Sequence, residues 1–138
     1  MKRFYGILTV VFLTALMVSG CGSDGSSKAE SIIKDQADIT ENYVNDISSA
    51  DSSEKVVAAI ERYTEGMKKL IPKIKEFQKK YPEYQQGKVP EGVEADAKRL
   101  EESSAKIPGA MMKLTAYMMD SKVQSAMQKM GEEMSKLQ

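Results

Sequence analysis

The side chains of this sequence that could do chemistry are mainly thioethers, and most of them lie near the end of the chain. Seven of the 10 methionines fall within residues 111–134. Five of these follow a helical stripe and are the candidate partner-binding or metal-binding residues: Met111, Met118, Met127, Met130 and Met134. Met112 and Met119 lie one position off the stripe.

Three interpretations of these methionines stay open. Methionine is adaptable and fills irregular cores, and the same property suits it to an apolar face that binds a partner. Thioethers are also soft ligands that select Cu(I), so the cluster could form a copper site. The sequence alone does not choose among a core, an interface and a metal site.

Histidine is absent from the chain, and its absence removes most familiar catalytic chemistry. Histidine is the commonest general base near neutral pH, and it completes the usual Ser-His and Cys-His pairs. His-ligated zinc and haem sites are excluded as well. No pair of carboxylates stands in an apolar setting that would distinguish it as an acid and base. We therefore predict no catalytic residue and no enzymatic activity.

The only cysteine, Cys21, follows a short positive start and an apolar run. Lys2 and Arg3 precede 13 mostly apolar, uncharged residues, 6–18. This length suits the core of a secretory signal and is shorter than the roughly 20 residues of a bilayer span. The segment Val18-Ser19-Gly20-Cys21 resembles the lipobox of bacterial lipoproteins, in which an aliphatic residue and two small residues precede an obligatory cysteine.

The resemblance implies that residues 1–20 are a signal peptide cleaved between Gly20 and Cys21, and that the Cys21 thiol carries a diacylglyceryl lipid. No other cofactor is expected. Two or more acyl chains anchor a protein stably. Gly22 stands where an aspartate would signal retention in the inner membrane, so the expected location is the cell envelope, lipid-anchored in the outer membrane and facing the periplasm. The alternatives are an ordinary signal peptide or an uncleaved helix, with Cys21 as a spare thiol.

Composition narrows the class of the mature chain. Without residues 1–20 it has 118 residues, with 18 positive and 20 negative side chains and a formal charge of −2. A nucleic-acid-binding protein would show a basic excess, so no nucleic acid is expected as a partner. Residues 21–29 are rich in glycine and serine and predict a flexible tether that holds the domain about 15 Å from the lipid. Residues 30–138 suit one domain, which has no cysteine for a disulfide.

Apolar residues repeat at helical spacing through this domain. We expect a first helix over residues 30–48 and a second over residues 52–80, started by Asp51 with Glu54 as a capping-box-like pair. The second helix carries the seam Val56, Ile60, Tyr63, Met67, Leu70, Ile74, Phe77 and Tyr81. A third helical region carries the seam Val93, Ala97, Leu100, Ser104, Ile107, Met111, Leu114 and Met118.

The two seams have eight positions each, and spacings of four and three are typical of coiled coils and bundles. We expect the second and third helices to pair as an antiparallel hairpin, joined by the Pro/Gly-rich residues 82–92. Pro72 should bend the second helix, and Pro108 should kink or split the third. The predicted fold is all-α: a small antiparallel helical hairpin or a three- to four-helix bundle with coiled-coil-like seams.

A run of lysines occupies the second half of the second helix, at positions 68, 69, 73, 75, 79 and 80. These lysines could face anionic lipid headgroups or an acidic partner. Alternatively, they pair with acidic side chains of a neighbouring helix. The sequence thus predicts a membrane-tethered periplasmic lipoprotein that acts as a non-catalytic structural or protein-interaction module. Its partner would be an envelope protein or a second copy, and the alternative function is Cu(I) binding.

Overall fold

The computed structural model describes residues 23–82, 84 and 92–137, and this part of the chain forms four helices and no strand. They are α1 (Ser23–Ser49), α2 (Ser53–Lys80), α3 (Glu94–Thr115) and α4 (Ser121–Lys136). The predicted all-α bundle is confirmed. The predicted cleavage and lipidation residues, Gly20 and Cys21, lie outside the described residues.

Helix α1 is the antiparallel partner of α2. Near one end of the pair, Lys73 Nζ lies 2.8 Å from Asp35 Oδ2. Further along, Arg62 Nη1 lies 2.6 Å from Asp46 Oδ2. Residue numbers therefore rise along α1 as they fall along α2. The two helices approach closely at Gly66, where an added Cβ would lie 2.9 Å from Ile39 Cγ1.

Helix α3 lies on the other side of α1, and α4 lies on α2. Arg99 of α3 reaches Asp38, and Lys113 near the end of α3 donates a hydrogen bond to the carbonyl oxygen of Ser48. These contacts make α1 and α3 parallel. The order of packing is α3, α1, α2, α4, with α1 and α2 in the middle.

This order corrects the predicted hairpin of the second and third helices. Among the described residues, the extensive helix pairings are α1 with α3, α1 with α2, and α2 with α4. Helix α1 therefore lies between the two seams that we expected to face each other. Matched seam lengths show that two helices have apolar faces of similar extent, but hydrophobic burial is non-directional and does not specify the partner.

The principal core lies at the end of the bundle where α1 meets α2 and α3 meets α4. Val56 and Ile60 of α2, Ile47 of α1 and Leu114 of α3 are each 1% exposed or less. The core cluster consists of Val44, Ile47, Ala50, Val56, Ala59, Ile60, Ala110, Leu114, Val123, Ala126 and Met130. All four helices contribute, so none of them can bury its apolar face without the others.

The predicted flexible tether is wrong from Ser23 onward, because α1 begins there. Gly25 and Ala29, within the expected tether, are buried. A Cβ on Gly25 would lie 3.0 Å from the ring of Tyr84, so the glycine allows close contact with an aromatic side chain. Composition predicted a coil because glycine and serine are weak helix formers, whereas tertiary packing overrides that preference.

The ends of α2 are close to the prediction, but its cap differs. Ser52 is the N-cap, and its hydroxyl oxygen accepts a hydrogen bond from the Lys55 backbone N–H at 3.3 Å. Asp51 instead pairs with the Lys55 ammonium at 2.9 Å. At the other end, the Tyr81 N–H donates to the Phe77 carbonyl oxygen at 2.8 Å.

The third helical region consists of two helices, and Pro108 is not the break between them. Helix α3 continues through Pro108, as α2 does through Pro72. Helix α3 ends at Thr115, and after the turn at residues 116–120 the Asp120 carboxylate caps α4 by accepting from the Lys122 N–H at 2.8 Å. Aspartate is a favourable N-cap residue, so Asp120 starts a new helix after this turn.

Candidate functional site

The predicted methionines divide into two groups. Met130 of α4 is 9% exposed and belongs to the core, and Met127 and Met134 pack against that core. Met111 and Met118 are 43% and 42% exposed, so these two positions of the predicted seam do not belong to the core. The structure therefore does not bring the five candidate methionines together on one surface.

The exposed methionines include two that do not lie on the predicted stripe. Met112 and Met119, which the stripe left out, are 79% and 90% exposed. We call Met111, Met112, Met118 and Met119 the methionine surface. They are all the large hydrophobic side chains that the described residues expose. The two most exposed members received little weight because they lie one position off the stripe.

The end of α3 at Thr115 is the physical cause of the exposure of Met118 and Met119, whereas Met111 and Met112 are exposed on α3 itself. Continuous helical spacing would have placed Met118 above Met111 and Leu114 on one seam. In the structure Leu114 and Ala110 fill the core instead, both 1% exposed. Beyond the end of the helix, Tyr117 packs against the core, and Met118 and Met119 are exposed.

Hydrogen bonds hold this turn on the bundle. The Tyr117 N–H donates to the Leu114 carbonyl oxygen at 2.9 Å, and the Asp120 N–H donates to the Tyr117 carbonyl oxygen at 3.0 Å. The Gln124 side-chain amide donates to the Met118 carbonyl oxygen at 2.8 Å. The methionine surface therefore combines flexible side chains with a fixed backbone, an arrangement suited to binding.

The separation of the methionines into a core group and an exposed group affects whether they could form one copper site. Soft-metal sites need several thioethers that converge on one ion, whereas three of the five candidates contact the core and two face solvent. Cu(I) binding stays a prediction, and anaerobic titration with Cu(I) tests it. Among the described residues, no three acidic, histidine or cysteine side chains are grouped so that they could hold a metal ion.

A group of aromatic side chains lies at the opposite end of the bundle, where α1 begins and α2 ends. The ring centroids of Phe77 and Tyr81 are 5.0 Å apart, and those of Phe77 and Tyr84 are 5.3 Å apart. We call Phe77, Tyr81 and Tyr84 the aromatic cluster. Gly25 of α1 packs beneath Tyr84 and Tyr81. The sequence indicated Phe77 and Tyr81 through the seam. Tyr84 continues the spacing of that seam but lies after Pro82, beyond the expected end of the helix.

Beside the aromatic cluster is an open cleft of about 200 Å³ between α1 and α2. Its walls are Lys28, Ser31, Ile32, Lys73, Glu76, Phe77, Lys80 and Tyr81. The Lys80 ammonium lies 5.5 Å from the centroid of the Tyr81 ring, within the range of a cation–π contact. Three cations and one carboxylate border the cleft, so its local charge is positive.

The lysine run of α2 is divided between two roles. Lys68 lies 3.0 Å from Glu133 of α4, and Lys73 lies 2.8 Å from Asp35 of α1. For these two residues, pairing with a neighbouring helix is confirmed. Lys79 and Lys80 lie in the last turn of α2, exposed beyond those pairs.

Two titratable groups show the electrostatics of the helix contacts. Glu133 lies between two ammonium groups, and its hydrogen bonds from Lys136 and then Lys68 lower its pKa to about 2. Burial, together with the nearby Tyr63, raises the pKa of Tyr43 to about 12. Both groups connect helices, α4 to α2 and α1 to α2, and neither borders the cleft or the methionine surface.

Comparison with known proteins adds no relative: no protein-family model, no curated protein and no solved structure matches this chain. Within residues 23–82, 84 and 92–137, no helix is both long enough and apolar enough to cross a membrane.

Proposed function

We propose that this chain is a lipid-anchored, non-catalytic module of the bacterial cell envelope that binds an apolar face of another envelope protein through the methionine surface. The observation that carries the proposal is the exposure of four methionines within residues 111–119. Several large apolar side chains exposed within one short segment are a candidate protein interaction site.

Methionine suits this role for a physical reason. Its side chain is unbranched and polarizable, so a surface of methionines adapts to partners of different shape. The most exposed pair, Met112 and Met119, would bury the most area on binding. Each fully buried side chain of this size contributes about 1.5 to 3 kcal/mol before the costs of association.

The location of the methionine surface supports a protein partner. The Tyr117 hydroxyl lies 3.5 Å from the Ala50 carbonyl oxygen, so residues 116–120 lie beside the end of α1. Helix α1 has 27 residues and is about 40 Å long at ~1.5 Å per residue. A lipid on Cys21 would lie before the other end of α1. The methionine surface would then project away from the anchoring membrane.

The proposed location at the membrane rests on the amino-terminal residues. The positive start, the short apolar run and the lipobox-like Val18-Ser19-Gly20-Cys21 support cleavage after Gly20 and lipid attachment at Cys21. Mass spectrometry of the amino-terminal peptide of the protein from bacterial membranes tests this part. An unmodified Cys21 in the mature protein would contradict it.

Site-specific photo-cross-linking in cells tests the interaction. A photoreactive amino acid at Met112 or Met119 should yield a defined cross-linked product with one envelope protein, identified by mass spectrometry. The matched controls are Ala58 and Ala105, which are exposed positions on α2 and α3. In the chain that carries the photoreactive amino acid at Met112, the added substitution Met119→Gln should lower the yield of the product. Equal products at the control positions, or cross-linking only to a second copy of the chain, would refute the proposed partner.

A further inference from the structure

The start of α1 lies very near the proposed lipid. Helix α1 begins at Ser23, two residues after Cys21. Two residues span at most about 7 Å even when fully extended. If Cys21 is lipidated, as the proposed function holds, the end of the bundle that contains the start of α1 must therefore lie at the headgroups. The flexible coil that would have kept it at a distance is absent from Ser23 onward.

The side chains at this end suit a lipid interface. Tyr81 and Tyr84 of the aromatic cluster are half-buried, so part of each ring remains accessible. Tyrosine is enriched at the headgroup level of membranes because its ring is apolar and its hydroxyl is polar. Lys28 near the start of α1 and Lys79 and Lys80 at the end of α2 are exposed around these rings.

We propose that this end of the bundle docks on anionic phospholipid headgroups and holds the bundle upright on the membrane. The docking residues, which we call the headgroup surface, are Lys28, Lys79, Lys80, Tyr81 and Tyr84. Each lysine near an anionic surface favours the docked state by roughly fivefold. Lys28, Lys79 and Lys80 would contact the lipid phosphates, and the tyrosine rings would lie at the level of the glycerol.

The positions of the lysines along α2 support an upright orientation of the bundle on the membrane. Lysines that surround a helix cannot all face a membrane when the helix lies flat on it. At the end of a helix, however, lysines on every side reach the same plane when the helix stands upright. Lys79 and Lys80 occupy the last turn of α2, whereas Lys68 and Lys73, further from the end, already pair with acids of α4 and α1. Lys79 and Lys80 are therefore the lysines of this run that lie nearest the proposed membrane.

The chain contains no tryptophan, which permits a direct test with the full-length lipidated protein. Tyr81→Trp places a single fluorophore on the headgroup surface, and Tyr117→Trp places one at the opposite end as the control. Each protein is reconstituted into vesicles of phosphatidylcholine, or of equal parts phosphatidylcholine and phosphatidylglycerol, that contain a lipid with a nitroxide on its headgroup. Tyr84→Trp is the second probe if Tyr81→Trp does not fold by circular dichroism.

The expected result is strong quenching of the tryptophan at position 81, blue-shifted emission in the anionic vesicles, and little quenching at position 117. Adding Lys79→Gln and Lys80→Gln should lower the ratio of docked to undocked protein by about thirtyfold. The matched control, Lys106→Gln with Lys129→Gln, removes two exposed lysines elsewhere and should leave the quenching unchanged.

Two results overturn the inference and are distinguishable. If mass spectrometry shows lipid on Cys21 but position 81 is quenched no more than position 117, or equally in both vesicles, the inference fails and the proposed anchor stands. If Cys21 carries no lipid, the proposed anchor fails and the inference fails with it.

Discussion

The close approach of α1 and α2 at Gly66 makes a quantitative prediction. A Cβ added to Gly66 would lie 2.9, 3.2 and 3.3 Å from three side-chain carbons of Ile39. Ile39 is β-branched and half-buried between the helices, so its side chain cannot swing freely away. The Gly66→Ala variant must therefore separate the two helices slightly or force Ile39 out of its preferred rotamer.

Two opposing effects set the magnitude. Alanine is favoured over glycine inside a helix by about 1 kcal/mol. Overpacking of a well-packed contact costs about 1 to 3 kcal/mol. We expect Gly66→Ala to lower the free energy of unfolding by about 0 to 2 kcal/mol. Gly131 of α4 is the matched control, because nothing lies within 4 Å of its added Cβ. Gly131→Ala should raise the free energy of unfolding by about 0.5 to 1 kcal/mol.

Urea unfolding followed by circular dichroism measures both variants, and the difference between them should be about 1 to 3 kcal/mol. Ile39→Ala removes all three contacting carbons. In that background, Gly66→Ala should stabilise the protein as Gly131→Ala does. If Gly66→Ala alone stabilises as much as Gly131→Ala, the helices do not approach as closely as described and the reasoning is refuted.

Three further predictions concern pH and the methionines. The folded protein should lose stability as the pH rises from about 10 towards 12, because unfolded Tyr43 ionises at a lower pH than folded Tyr43. Thermal unfolding of Tyr43→Phe should show a smaller loss over that range, and an identical loss would contradict the burial of Tyr43. Glu133 has a lowered pKa, so its stabilising contribution is present above pH 4.5 and disappears as the pH falls towards 2. Glu133→Gln should reduce this acid sensitivity, as measured by denaturation at each pH. Met130→Ala should cost about 2 to 5 kcal/mol in urea unfolding, whereas Met119→Ala should change stability by less than about 0.5 kcal/mol. Similar losses for the two variants would mean that the methionines are not divided between core and surface.

The local spacing of apolar residues was sufficient to predict the helices and much of the core. Helix α2 begins at Ser53 and ends at Lys80, as the seam and the Tyr81-Pro82 stop indicated. Val56, Ile60, Met67 and Leu70 of that seam are buried. These properties follow from residue spacing because the rotation per residue of an α-helix fixes which side chains share a face.

The candidate site was only partly predictable. The methionines at the end of the chain were notable for their number, but the same spacing rule placed Met118 on the seam of the third helix and left open whether it was core or surface. The rule fails where a helix ends, because residues beyond Thr115 no longer follow helical rotation. Likewise, Tyr84 lies beyond the expected end of the second helix, where helical spacing no longer fixes a position, and only the fold brings it against Gly25.

The sequence by itself determined the helical class of the protein and the extents of its apolar faces, and it predicts a lipid anchor at Cys21. The tertiary structure decided that α1 separates α2 from α3, that the expected tether is helical from Ser23, and that four methionines face solvent. The reason is that local sequence determines which face of a helix is apolar, whereas the choice of partner depends on how all four faces are buried together. Small residues allow the close approach of neighbouring elements. Gly66 lets α2 approach Ile39 of α1, and Gly25 lets α1 approach the ring of Tyr84.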